Sequence, residues 1–261
     1  MQIDESFHAA YRELEERMRA LAESEGDVFL PNPEPEGPVR YVLICMEPSL
    51  GRWARSADEA KSKVEAGFRN FLFSIEDFIL HFCAGRYLCK PNERYHITDV
   101  SKGAMLVKQA DLARAERYDR WYPSLLEEID LVADPNTGIV TLGKVVSKYL
   151  QKRGFQRPFI SVIHYSGQAA RARNTGVEGR ENSFNAFRES VSLEDMLTTA
   201  EEVLRASRVP ADICDEVLAR LARSQLTTSR KKLIFNYKIV FESIQASSAS
   251  REALVDGSSV G

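Results

Sequence analysis

Four short apolar runs, none with the apolar/polar alternation of a half-exposed strand, constrain this chain more than any other feature. They are Arg40-Tyr-Val-Leu-Ile-Cys-Met46, Tyr95-His-Ile-Thr-Asp99, Gly138-Ile-Val-Thr-Leu142 and Phe159-Ile-Ser-Val-Ile-His164. Strands of this kind are covered on both faces. Helical periodicity fills the intervals at 66–84, 105–128 and 143–153, and strands that alternate with helices join through right-handed crossovers into a parallel sheet. The expected fold is therefore a three-layer α/β/α arrangement with a central, mainly parallel four-stranded sheet. With 261 residues, 44% of them apolar, the chain can bury the core of one large domain.

Outside this core the pattern is helical. Residues 5–24 repeat apolar positions at helical spacing among many Glu and Arg, the signature of an amphipathic surface helix. The segment Pro31-Asn-Pro-Glu-Pro-Glu-Gly-Pro38 ends that helix, so residues 1–38 read as a helix with its connector and 39–190 as the core. Helical patterns at 192–206, 211–223 and 226–244 form a C-terminal extension over 191–246, and the Ser/Ala-rich residues 247–261 are expected to lack structure.

Several function classes fall away. No apolar run reaches the 18 to 20 or so residues of a bilayer span, and the acidic N-terminus is unlike a signal peptide, so a cytoplasmic monomer with no membrane partner is expected. Cys45, Cys83, Cys89 and Cys214 are scattered without CxxC spacing, so reduced thiols, no metal and no cofactor are expected. There is neither a GxxxxGK[ST] loop nor a GxGxxG turn after a strand, which argues against a phosphate-cradling nucleotide enzyme. The net charge of −3 requires any nucleic acid to meet a local basic face.

Parallel sheets place their ligands at the carboxyl ends of the strands. Three of the runs end there in polar residues: Glu47-Pro-Ser49 after the first, Asp99 closing the second, and His164-Tyr-Ser-Gly167 after the fourth. Each has an ordinary structural reading as a turn former, helix cap or core histidine. Together they put two acids and an imidazole on one sheet edge.

The order and wording of these segments resemble the uracil-DNA glycosylase superfamily over roughly residues 40–190. Cys45-Met-Glu-Pro-Ser-Leu-Gly51 is similar to its first motif, Tyr95-His-Ile-Thr-Asp-Val-Ser-Lys102 to its base-reading strand, Ile139-Val-Thr-Leu-Gly-Lys144 to its strand-to-helix turn, and Val162-Ile-His-Tyr-Ser-Gly167 to its final motif. Three departures leave the branch open: Cys45 stands where Gly is usual, Glu47 where Asp or Asn is usual, and Tyr165 where Pro is usual. The family's iron–sulfur ligand spacing is not reproduced.

The resemblance implies hydrolysis of an N-glycosidic bond on a base flipped out of DNA. Glu47 would orient or deprotonate the attacking water, and a neutral His164 would donate a hydrogen bond to the departing base. Phe68 or Phe71 would stack on that base, or else belong to the core. Ser49, Ser166 and Gly167 would hold flanking phosphates, and Arg171 and Arg173 would lie in the loop that wedges the duplex, or form a solvated basic loop. The run Arg230-Lys-Lys232 with Lys238 would extend the DNA track or line a solvated helix face.

Asp99 stands where uracil-reading members carry Asn. An ionised carboxylate only accepts hydrogen bonds, which suits the N4 amine of cytosine and not O4 of uracil. Unmodified cytosine is excluded, because its removal would destroy the host genome. The expected substrate is thus a 5-hydroxymethyl or glucosylated cytosine, as in phage DNA, and the superfamily includes antiphage glycosylases of that kind. The alternatives are ordinary uracil repair, a non-catalytic sensor of modified DNA, and an Asp99 that is protonated or turned to Lys102.

Overall fold

A computed structural model describes residues 5–51, 53–106, 112–166 and 170–256, with side chains of the last helix described through residue 248. In chain order the elements are α1 (Glu5–Glu25), β1 (Val28–Phe29), β2 (Val39–Cys45), α2 (Ala57–Glu65), α3 (Ile75–Cys83), a π-helical turn (Ala84–Leu88), β3 (Tyr95–Asp99) and β4 (Gly103–Ala104). There follow α4 (Arg114–Val132), β5 (Ala133–Leu142), α5 (Lys144–Lys152), β6 (Phe159–Val162), α6 (Ala170–Thr175), α7 (Glu181–Arg188), α8 (Leu193–Ala206), α9 (Ala211–Ala222) and α10 (Thr228–Asp256).

The main sheet has four parallel strands in the order β3-β2-β5-β6, as the unalternating apolar runs predict. Successive side chains of a strand point to opposite faces, and in β2 both faces are buried. Tyr41, Leu43 and Cys45 join one core layer with residues of α3, α8 and α10, while Val42 and Ile44 join the other with residues of α1, α4 and α5. A short antiparallel β1–β4 pair lies outside the main sheet, next to a smaller apolar cluster that includes Trp53 and Phe68. No described helix is long and apolar enough to cross a membrane.

Several spans differ from expectation: β5 begins at Ala133 and not at Gly138, β6 ends at Val162 and not at His164, α6 occupies part of the stretch read as a loop after His164, and three helical spans have other bounds. The helix read over 66–84 is interrupted: α2 ends at Glu65, and α3 begins only after Ser74. Ser74 accepts from the backbone of Asp77, whose carboxylate accepts from the backbone of Ser74, a capping box that starts a new helix. Within the intervening loop Phe71 has φ +59°. It is held there by the Asn70 side chain, which accepts from its N–H at 3.0 Å, and by His81 Nε2, which donates to its carbonyl at 3.1 Å. The helix expected from 105 begins at Arg114. At the C-terminus α10 continues to Asp256, so residues 247–256 are helical where an unstructured tail was expected.

Candidate functional site

The register of the sheet brings the sequence-predicted residues to one edge. Cys45 pairs with Asp99, Leu142 with Val162, and the Gly143 N–H donates to the Val162 carbonyl at 2.8 Å. Glu47 and His164 each lie two residues beyond a strand end, and Asp99 closes its strand. Strand order reverses about the central pair β2/β5, the topological switch where open parallel sheets bind ligands.

Glu47 is held from α4. Its Oε1 accepts from Arg114 Nε at 3.1 Å and Nη2 at 2.8 Å, its Oε2 accepts from the Tyr118 hydroxyl, and Arg117 lies 3.8 Å away. The side chain is 4% exposed. A carboxylate offers about four acceptor positions, so among the described residues Oε2 is left one direction in which a water could bind. Burial and the charge of Glu47 push the Tyr118 hydroxyl well up, which keeps it a donor. Sequence reading missed these partners. Their signal is Arg114, Arg117 and Tyr118 at i, i+3 and i+4, one face of a helix.

Asp99 is 2% exposed, and its Oδ2 accepts from Asn70 Nδ2 at 2.7 Å. Burial pushes the carboxyl up to about 7, against the opposing charge of Lys102. The premise of a fully ionised Asp99 is therefore corrected: near neutral pH both forms are populated. The Lys102 ammonium does not reach that carboxylate. It donates to the Asp99 backbone carbonyl, to the Thr98 hydroxyl at 2.7 Å, and pairs with Glu128 at 2.8 Å.

Glu128 anchors a buried polar network behind the strand. It accepts from His96 Nε2 at 2.9 Å, Thr98 at 2.6 Å and Asn32 at 3.3 Å, and Asn32 in turn accepts from Asn70 at 3.2 Å. Burial alone would raise the Glu128 carboxyl, but Lys102 and His96 hold it well below the ordinary carboxylate range.

His164 has a defined donor face. The Ser166 N–H donates to its Nδ1 at 3.0 Å, which assigns the ring proton to Nε2. Burial, then the charge of Arg173, lowers its pKa to about 4, so the ring is neutral at physiological pH. Tyr165 stacks on it at 4.7 Å and 17°. Gly143, at φ +93°, leaves the ring its space, since a Cβ there would lie 3.2 Å from that of His164.

Other expected site residues fare differently. Phe68 is buried and stacked on Trp53 at 4.6 Å, and Phe71 is buried in the main core. Neither offers a free face to a base, because hydrophobic packing has already covered both rings. Ser49 is partly buried, with its carbonyl accepting from Trp53 Nε1 at 2.7 Å. Ser166 engages His164 and Arg173 through its backbone. Gly167 lies outside the described residues.

Arg171 is exposed, as a phosphate contact requires. Arg173 is 3% exposed and bonded internally, which removes it from the DNA-wedging role. The basic run is also engaged within the protein: Arg230 pairs with Glu76 at 2.9 Å, Lys232 donates to Asn174 at 2.8 Å and Lys238 pairs with Glu242 at 2.6 Å.

Among the described residues no cluster of three or more His, Cys, Asp or Glu could hold a metal ion. A cavity of about 370 Å³ is lined by Asp27, Met105, Leu112, Arg117, Arg120 and their neighbours; it adjoins the site through Arg117, beside Glu47, and through Met105, which bridges to Ser49. No protein-family model, curated protein or solved structure matches the chain, so a functional reading rests on this geometry and on the motif resemblance.

Proposed function

We propose that this chain is a DNA glycosylase that hydrolyses the N-glycosidic bond of a flipped cytosine-type base and leaves an abasic site. The observation that carries the reading is the pairing of a neutral imidazole, its Nε2–H held as donor, with an anchored carboxylate on the same carboxyl edge of a parallel sheet. Cleavage breaks the C1′–N bond, sends its electron pair to the base and leaves the sugar cationic. His164 Nε2–H stabilises the negative charge on the base, and the Glu47 carboxylate orients water towards C1′. Water supplies the hydroxyl group to the sugar, and its remaining proton is released.

Asp99 supports the choice of base in both of its forms. Ionised, it accepts from the N4 amine; protonated, it can give its proton to N3. Uracil suits only the protonated form, whose O–H can meet O4. A 5-hydroxymethylated or glucosylated cytosine is the proposed substrate, with Arg171 as the exposed cation near the DNA.

The test is incubation with oligonucleotides carrying uracil, thymine, hydroxymethylcytosine or its glucosylated form, followed by alkaline cleavage at abasic sites. Release of the modified cytosine by wild type, lowered about 10² to 10³-fold in His164→Ala, is expected. Efficient uracil excision would return the chain to ordinary repair. The ion pairs on Glu47 favour one other reading, a non-catalytic sensor in which that carboxylate only ties the loop after β2 to α4. Tight binding of modified DNA without release would mark it.

A further inference from the structure

Segments distant in sequence meet behind His164. From α10, the Tyr237 hydroxyl donates to the Ile163 carbonyl at 2.9 Å. From α6, Arg173 donates through Nη2 to the carbonyls of Tyr165 and Ser166, the latter at 2.9 Å, and through Nη1 to the Ser229 hydroxyl of α10 at 3.2 Å. Asn236, also on α10, donates to the Arg173 carbonyl at 3.1 Å. Just past the end of α6 the chain meets α10 so closely that a Cβ at Gly176 would lie 1.5 Å from Asn236 Oδ1.

Every backbone carbonyl from Ile163 to Ser166 except that of His164 itself is thus held by Arg173 or by α10. The same loop supplies the Ser166 N–H that fixes the imidazole tautomer. A guanidinium suits this task because its planar fork reaches two carbonyls and a hydroxyl at once.

We infer that Arg173 is a positioning residue for His164, working from α10 as its frame, so that the C-terminal helix completes the site instead of appending to it. This rests on the reading of His164 as the leaving-group donor. The ionisable groups around the loop are Arg173, the Arg230–Glu76 pair behind it, Tyr237 and the stacked Tyr165, with Cys45, Asp77 and Asp99 facing Tyr165 from β2, α3 and β3. Of these, Arg173 is the one whose charge acts on the imidazole, in the same direction as burial.

The test uses the full chain and ¹⁵N NMR of the imidazole, read with base release. Wild type should show the Nε2–H tautomer and titrate at about 4. Arg173→Met should mix the tautomers, raise the midpoint and lower kcat about 10²-fold with KM little changed, the usual consequence of displacing a catalytic group by about an ångström. Arg173→Lys keeps the charge and loses the fork, so the midpoint should stay near wild type while the tautomers mix. Tyr237→Phe should mix them in part.

A wild-type tautomer and midpoint in Arg173→Met would overturn the inference whatever the activity. A displaced imidazole with unchanged kcat would overturn its role in catalysis. If Arg173→Met does not fold, wild-type tautomers in both Arg173→Lys and Tyr237→Phe would overturn it. Absence of base release by wild type on every DNA would overturn the glycosylase reading alone, since the NMR still decides whether Arg173 sets the imidazole.

Discussion

Replacing Asp99 by Asn turns on one neighbouring amide. Asn70 cannot turn over, because its oxygen accepts from the Phe71 N–H at 3.0 Å, so its Nδ2 always faces residue 99, where it donates to Asp99 Oδ2 at 2.7 Å. An asparagine at 99 must therefore turn its own carbonyl oxygen to Asn70 and its NH₂ to the place of Oδ1. The sheet edge then offers a donor where the carboxylate offered an acceptor.

The stability consequence has a definite sign. Burial raises the folded Asp99 carboxyl from its ordinary 3.8 to about 7. A group raised on folding contributes stability that is fully present below its unfolded value and is lost as pH climbs through the folded one. That displacement corresponds to about 4 kcal/mol, and an amide does not titrate. Between about pH 4 and pH 8, the stability of Asp99→Asn relative to wild type should therefore rise by a few kcal/mol.

Urea unfolding of both proteins at the two pH values measures this. The comparison between proteins cancels the other titrating groups. A difference that does not change with pH would refute the buried, protonatable Asp99. In base release, the mismatch of about 1 to 3 kcal/mol should cost the variant one to two powers of ten on modified cytosine, with release from uracil gained through the outward NH₂. Unaltered preference would separate Asp99 from base reading.

Lys102→Met should destabilise the fold by about 3 to 5 kcal/mol, because it leaves the Glu128 carboxylate buried without its ammonium; adding Glu128→Gln should restore part of the loss, and urea midpoints of the single and double variants test both statements. Glu47→Gln should lower base release at least about 10²-fold while DNA binding is retained, as judged by single-turnover cleavage beside a binding assay; near wild-type turnover would leave Glu47 a structural anchor. Arg171→Ala should reduce the salt slope of DNA binding by about one, and an unaltered slope would place the loop after His164 away from the phosphates.

Much of the frame was legible in the chain. The runs at Tyr95–Asp99 and Phe159–Val162 begin as strands at the residues their apolar character indicates, and Val42 against Leu43 shows why no alternation was present: the two side chains serve opposite core layers. Glu47, Asp99 and His164 were locatable because a strand end is a local property, and parallel strands in register carry their ends to one edge. The break before α3 was legible too, in Ser74 and Asp77, though apolar periodicity across 66–84 masks it.

What tertiary structure alone decided are contacts between residues far apart in sequence. Phe68 meets Trp53 and Arg173 meets Ser229, so an aromatic and an arginine that local pattern allows at a DNA surface are both interior. The same holds for the protonation of the site. Asp99 is raised by burial and by the charges of Glu47 and Glu128, against the opposing pull of Lys102 and Asn70, and His164 is kept neutral by burial and a guanidinium on another helix. Hydrophobic spacing acts through neighbours along the chain and can be read from it. Desolvation and pairing of charge depend on which segments meet in space, and only the packed molecule determines that.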